Sequence, residues 1–241
     1  MSYRIAIPSK GRATKITTLD VVGGQAPVDI FVDDEEEGER YRTAAGDRAS
    51  VVVTKTKGIS ATRNAILDHY GNGAHIVTMC DDVTAICKRM GAKSLLALTP
   101  KEVGELIERS FLMAVDAKVG LWGIYPIANP FYMSDRITRA GFIIGTFSGI
   151  IVSDLRHDAR LQLKEDYDFT VKHLIRDGAV LRHNGYAVKA RHYSNAGGCV
   201  DYRTDEMEEA SIRILEEEYG PFIQRNRRRK NEILLKAHMF K

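Results

Sequence analysis

The residues with the clearest chemical potential are two aspartates in succession. Asp81 and Asp82 end the apolar run that contains Ile76, Val77 and Met79, whose burial contributes roughly 1.5 to 3 kcal/mol per side chain. Two carboxylates side by side at the end of such a strand call for a cation, and a hard divalent ion shared with phosphate oxygens satisfies them. Bases suited to an anionic ligand stand nearby in the chain. Lys10 and Arg12 lie in the glycine-bearing loop "SKGR", and Arg63 lies in "SATRNA". Arginine offers a planar fork of donors and lysine a point charge, and both match a diphosphate. Gly197 and Gly198 in "NAGG" either let backbone N–H groups approach such a ligand or form a plain turn. Finally, Arg225, Arg227, Arg228, Arg229 and Lys230 concentrate positive charge in "QRNRRRKNEILLK", a density that at helical spacing can track nucleic-acid phosphates.

These residues need elements to hold them. "YRIAIP", "PVDIFVD" and "ASVVVT" read as strands, the last rich in β-branched residues, and each is separated from the next by a polar, helix-compatible segment. Strands alternating with helices predict an α/β fold with a mostly parallel sheet flanked by helices. Ser60 can cap a helix that runs to about His69 and stops at Gly71, before the strand "AHIVTMC". Thr99, Pro100 and Glu102 form a capping-box pattern at the head of a long helix. "VGLWGIYP" follows as a strand, then an aromatic loop containing Phe131 and Tyr132, then the apolar run from Gly141 to Val152. A further helix opens on Glu165 and Asp166 and closes at Gly178, its Tyr167, Val171, Leu174 and Ile175 sharing one face. Asn184-Gly185 predicts a hairpin turn. "DDEEEGE" reads as a solvated acidic loop beyond Asp33, and the stretch after Gly220-Pro221 as a basic tail helix. The expected division is a domain over 1–203 and a helical, basic C-terminal extension over 204–241.

Bulk properties narrow the classes. The chain has 241 residues, 44% hydrophobic and 28% charged, with formal net charge +3, which fits a soluble globular protein and excludes wholesale disorder. No apolar run approaches the roughly 18 to 20 residues of a membrane span, and "MSYRIAIPSKGR" is no secretory signal. Three cysteines, Cys80, Cys87 and Cys199, support neither a disulfide framework nor a zinc ribbon. The expected setting is a reducing cytoplasm, without a membrane partner. A kinase or ATPase would need a G-x-x-x-x-G-K-[ST] loop, which is absent.

The stretch "GISATRNAILDHYGNGAHIVTMCDDV" resembles the nucleotide-binding half of GT-A glycosyltransferases, with their "G-x-x-x-A-R-N … G … I-x-F-L-D-x-D-D" signature. "IPSKGRA", "CDDV", "EDYDFTVKHLIRDG" and "NAGG" together look like the phage glycosyltransferases associated with TET/JBP-type base oxidation, which modify hydroxymethylated pyrimidines in DNA. The resemblance covers about residues 3 to 203. It implies a GT-A-like fold, a nucleotide-sugar donor (a UDP-sugar first) and a divalent metal, Mn²⁺ or Mg²⁺. The acceptor implied is double-stranded DNA carrying 5-hydroxymethylcytosine or 5-hydroxymethyluracil. Carried over by position, Asp82 is the metal ligand with His192 as a further one, and Asp166 with Glu165 supplies the base of an inverting transfer. Pro8, Ser9, Lys10, Arg12, Asp33, Arg63, Asp81, Gly197 and Gly198 line the donor site. Cys80 stands where the family has its first aspartate, and it reads as a small buried residue. Other readings are the same fold acting on a glycan or small molecule, a nucleotidyltransferase, and a non-catalytic DNA-binding module.

Overall fold

The computed structural model describes residues 2–191 and 203–240. The first half of the chain builds β1 (Arg4–Pro8), α1 (Thr18–Val22), β2 (Val28–Val32), α2 (Glu35–Ala45), β3 (Ser50–Val53), α3 (Ile59–Tyr70) and β4 (His75–Met79). It continues through β5 (Val83–Arg89), β6 (Leu95–Ala97), α4 (Pro100–Asp116), β7 (Leu121–Tyr125), β8 (Ile137–Thr138) and β9 (Phe147–Ile151). The last elements are α5 (Glu165–Asp177), β10 (Leu181–Ala190), α6 (Asp205–Tyr219), β11 (Ile223–Arg225) and β12 (Ile233–Leu235).

One large sheet has the order β3-β2-β1-β4-β9-β7-β10-β5-β6, with β8 also on β10. β1 to β4, β7, β10 and β6 run one way, and β9, β5 and β8 the other. Alternation along the strands separates two layers. Ile5, Ile7, Ile30, Val77, Met79 and Trp122 pack with Leu19 of α1 and Leu106 and Phe111 of α4. Ala6, Phe31, Ile76, Leu121 and Ile150 pack with Ile66 of α3 and Phe169 and Leu174 of α5. The α4 capping box forms as its sequence predicts, with the Thr99 N–H donating to Glu102 Oε2 at 2.7 Å.

Four local expectations are corrected. Ser60 does not cap α3: the N-cap is Gly58 with no side-chain cap, and Ser60 Oγ inside the helix donates to Leu161 O instead. Asn184-Gly185 makes no hairpin. β10 is one strand that pairs parallel with β7 through Leu181–His183 and antiparallel with β5 through Tyr186–Ala190, shifting register between. Each half finds a partner already in the sheet and buries Leu181, Ala187 and Val188 there, so long-range pairing overrides the local turn preference. The acidic stretch is the start of a helix rather than a loop. Asp34 caps α2 by accepting from the Glu37 N–H at 2.9 Å, and Glu37 turns inward. The basic tail is the hairpin β11–β12, with Ile223 opposite Leu235. Ile223 and Ile233 bury against Leu161, Val171, Ile212 and Leu215, which staples α6 and the hairpin to α5; that extended pairing is incompatible with a helix.

Trp122 sets one tight limit. A Cβ on Gly149 of β9 would lie 1.9 Å from its Cε2, and Trp122 is fully buried. Gly149→Ala is expected to cost about 1–3 kcal/mol through overpacking, read as a lower urea midpoint at unchanged slope.

Candidate functional site

The strand order reverses between β1 and β4. From β1 the chain steps outward to β2 and β3, then returns to place β4 on the other side. The carboxyl ends of β1 and β4 therefore open a crevice at a topological switch point, where open α/β sheets take ligands. Pro8 ends β1, and the loop after it, Ser9 to Arg12, meets Asp81 and Asp82 from the end of β4.

The contacts there are specific. Ser9 Oγ donates to Asp81 Oδ2 and lies 2.7 Å from the Tyr41 hydroxyl. Arg12 Nη1 donates to Asp81 Oδ1 at 2.8 Å and lies 3.7 Å from Asp82 Oδ2. Burial pushes the Asp81 carboxyl up, and Ser9 and Arg12 oppose the shift. Lys10 and Asp33 are paired at the rim at 2.7 Å, Lys10 exposed and Asp33 at the end of β2. Asp82 differs from its neighbour. It is only 5% exposed, and its Oδ1 has no hydrogen-bond partner among the described residues. A buried carboxylate oxygen left unmatched is costly unless something else binds it.

That orphaned oxygen fits a hard cation. Among the described residues no three His, Cys, Asp or Glu converge on a metal position. Mg²⁺ and Mn²⁺ are commonly held by one or two carboxylates with substrate phosphates completing the sphere, and Asp82 is the carboxylate here that could serve as such a ligand. Cys80 does not join it: the residue is half-buried, and burial pushes its thiol up to about 12, so the sulfur stays protonated at neutral pH.

A second cluster lies one residue away. The Cys80 N–H donates to Thr146 O at 3.1 Å, and the N–H of the preceding Gly145 donates to Asp166 Oδ2 at 3.1 Å. Asp166 is thus hung on the segment that flanks the aspartate pair. Burial, and then the charge of Glu165, push its carboxyl up to about 7. Glu165 itself is bound by Arg63 Nε at 2.9 Å, and Arg63 Nη2 donates to Gly145 O at 3.0 Å. Arg63, expected from the sequence to reach a phosphate, is placed by the structure on Glu165. At 5% exposure its guanidinium is spent as the counter-ion of Glu165, because a buried carboxylate at this helix start needs a charge partner more than the crevice needs another base.

Lys164, just before this pair, has φ of 63°, a left-handed conformation unusual for a residue with a side chain. Its ammonium is held by the Glu208 carboxylate of α6 and by Asn231 O of the hairpin at 2.8 Å. The C-terminal extension therefore braces the start of α5. Its basic cluster is largely neutralised. Arg225 is paired with Glu209 and Glu216, Arg229 with Glu232, and Lys230 with Asp205, which leaves Arg227 and Arg228 exposed without an ion pair among the described residues.

His192, Gly197 and Gly198 lie outside the described residues. Two residues that the sequence reading passed over belong to the site's frame. Glu37 Oε1 accepts from the Gly11 N–H at 2.6 Å, and the Tyr41 hydroxyl accepts from the Arg12 N–H at 2.9 Å. Their four-residue spacing behind a capping Asp34 is the signal that marks α2's inward face.

The model of the TET-associated glycosyltransferase family matches residues 3–198, from β1 to a point before α6. The chain belongs to the TET-associated glycosyltransferase family. This family member is therefore an enzyme, a glycosyltransferase, in a family tied to DNA-base modification. No curated protein matches it in sequence. Among solved structures, the 4-diphosphocytidyl-2C-methyl-D-erythritol synthase of Anaerococcus prevotii DSM 20548 is 11% identical, covering 88% of this chain and 96% of its own, with a TM-score of 0.45. A197 from STIV is 12% identical, covering 79% and 85%, with a TM-score of 0.42. No helix among the described residues of this glycosyltransferase is long and apolar enough to cross a membrane.

Proposed function

We propose that the enzyme moves a sugar from a nucleotide-sugar, a UDP-sugar in the first instance, to the hydroxymethyl oxygen of a modified pyrimidine in DNA, with inversion at the anomeric carbon. The observation that carries the reading is the placement of Asp166: a carboxyl tuned to about 7, tied through Gly145-Thr146 to the segment that carries Asp81 and Asp82. A base poised near the working pH is what proton removal from an alcohol requires.

In the displacement, the acceptor oxygen attacks the anomeric carbon as its proton passes to Asp166, and the bond from that carbon to the diphosphate oxygen breaks. The nucleoside diphosphate departs with the electron pair, and a single displacement inverts the centre. Arg63 holds Glu165 in place beside the base. The Asp33–Lys10 pair faces the nucleoside end of the donor, and Pro8, Ser9 and Arg12 hold the loop against its phosphates while Asp81 orients Ser9 and Arg12. A divalent ion bound at Asp82 would neutralise charge gathering on the leaving diphosphate. His192 as its further ligand, and Gly197 and Gly198 as donor contacts, enter by the family resemblance alone.

The test is mass spectrometry of nucleosides from duplexes containing 5-hydroxymethylcytosine or 5-hydroxymethyluracil, after incubation with enzyme, Mn²⁺ and a panel of nucleotide-sugars. A hexose-sized gain on one base is expected. Donor consumption without that gain would move the acceptor to a glycan or small molecule, and an untouched donor would remove the transferase reading. Asp82→Ala is expected to weaken Mn²⁺ binding in the presence of UDP by at least about 10- to 100-fold, the loss that even outer partners of a metal produce. Electron paramagnetic resonance of the ion reads it directly, and unchanged affinity would take Asp82 out of the ligand set.

A further inference from the structure

On the α5 face of the sheet, beyond Asp166, the guanidinium of Arg182 lies 5.3 Å over the Tyr125 ring, at the carboxyl end of β7. It is half-buried, and its partners are Asn184 Oδ1 at 2.7 Å and Phe142 O at 3.4 Å, both neutral. Burial lowers its pKa, and among the described residues it has no counter-ion, so a negative charge would be matched there. Phe142 in turn stacks on Tyr167, the residue after Asp166, with ring centroids 4.0 Å apart. Arg182 is therefore two contacts from the catalytic helix start, on the side away from the donor loop.

The loop between β7 and β8 extends this surface. Phe131 and Tyr132 are 75% and 61% exposed and pack edge to face at 5.1 Å. Their exposure is not slack: Met133 is buried, Arg89 donates to Pro130 O and Asp135, and the Tyr132 N–H donates to Asn129 O. A braced loop that holds two aromatic rings in water forgoes burial that a small shift would gain. Arg136 and Arg139 follow, both exposed and neither ion-paired among the described residues.

We propose that this surface, and not the tail hairpin, receives the acceptor DNA: Arg136, Arg139 and Arg182 meet backbone phosphates flanking the target nucleotide, and Phe131 and Tyr132 stack on its exposed bases. Unpaired guanidinium groups beside solvent-facing rings are the pattern by which proteins hold a nucleic-acid strand. In the tail, by contrast, Arg225 and Lys230 are already matched by acids of α6 and Arg229 by Glu232. The inference rests on the transferase reading for its orientation, but its test is binding.

The measurement is fluorescence anisotropy with a labelled hydroxymethylcytosine duplex of about two helical turns, over a range of salt. Arg136→Ala with Arg139→Ala is expected to weaken binding about tenfold and to flatten the salt slope by about 2, one counter-ion set per phosphate lost. Phe131→Ala with Tyr132→Ala is expected to weaken it about tenfold with the slope kept, as loss of stacking does. Because Arg182 is half-buried and its loss risks the fold, Arg182→Lys serves there, keeping the charge and losing the fork; it is expected to weaken binding several-fold while melting as wild type does. Wild-type affinity in the two surface pairs, with loss only in Arg227→Ala plus Arg228→Ala, would overturn the proposal, as would a wild-type chain that binds no DNA. Binding that depends on these residues without sugar appearing on the duplex would uphold the surface and sink the proposed acceptor chemistry instead.

Discussion

Asp166→Asn lowers the rate of sugar transfer by about 10²- to 10⁴-fold, the contribution of a positioned general base, with donor affinity close to that of the wild type. The wild-type rate rises with pH through about 7, where Asp166 loses its proton, and the residual rate of the variant lacks that limb. Stability moves the other way. In the unfolded chain an aspartate releases its proton near about 3.9, whereas Asp166 in the fold keeps it to about 7 because it is buried and stands beside Glu165. Between those values the folded state binds more protons, so stability falls as pH rises through the window. The neutral variant escapes this loss and gains stability over the wild type between pH 5 and 8. Chemical denaturation at the two pH values measures it. A variant that loses activity without the pH-dependent gain would mean that Asp166 is not the buried, proton-holding group.

Arg63→Met removes about 3–5 kcal/mol of stability, because it strands Glu165 as an unpaired buried carboxylate. Arg63 Nε and Glu165 Oε1 are 2.9 Å apart with side chains 6% and 10% exposed, so water cannot take over. Replacing both partners, Arg63→Met with Glu165→Leu, is expected to restore most of the loss, since a buried pair often exchanges with apolar residues at little net change. Urea unfolding of the two single variants and the double variant gives the coupling directly. A single-variant loss below about 1 kcal/mol, typical of an exposed pair, would contradict the burial. Gly145 belongs to the same unit, for a Cβ there would lie 2.6 Å from Arg63 Nη2.

The strand before Asp81, the capping box at Thr99 and the helix that opens on Glu165 were legible because each is specified within a few residues. Alternating or continuous apolar runs, a capping side chain and a stop glycine act locally. The reading failed where local and long-range preferences conflict. Asn184-Gly185 favours a turn in isolation, but both flanks had partners waiting in β7 and β5. The arginine-rich tail has helical charge density, but Ile223 and Ile233 bury only as a hairpin against α5 and α6. The run of acids from Asp34 resembles a solvated loop until Tyr41 is seen to pack on β1's loop, which makes the segment a helix with an inner face.

The sequence by itself determined the α/β class, the family and the pairs of acids around which the site is built, since these are carried by residue types at fixed short spacings. Only the tertiary structure decided how each charge is used. Side-chain type sets what a group can bind, but solvent access and the nearest counter-charge set what it does bind. Arg12 and Arg63 are the same residue, yet one bridges to the Asp81–Asp82 crevice and the other is buried on Glu165. Asp81 and Asp82 are neighbours, yet one is saturated by Ser9 and Arg12 while the other keeps an oxygen unmatched among the described residues. Those differences come from residues tens of positions apart brought within a few ångströms, and only the folded chain contains them.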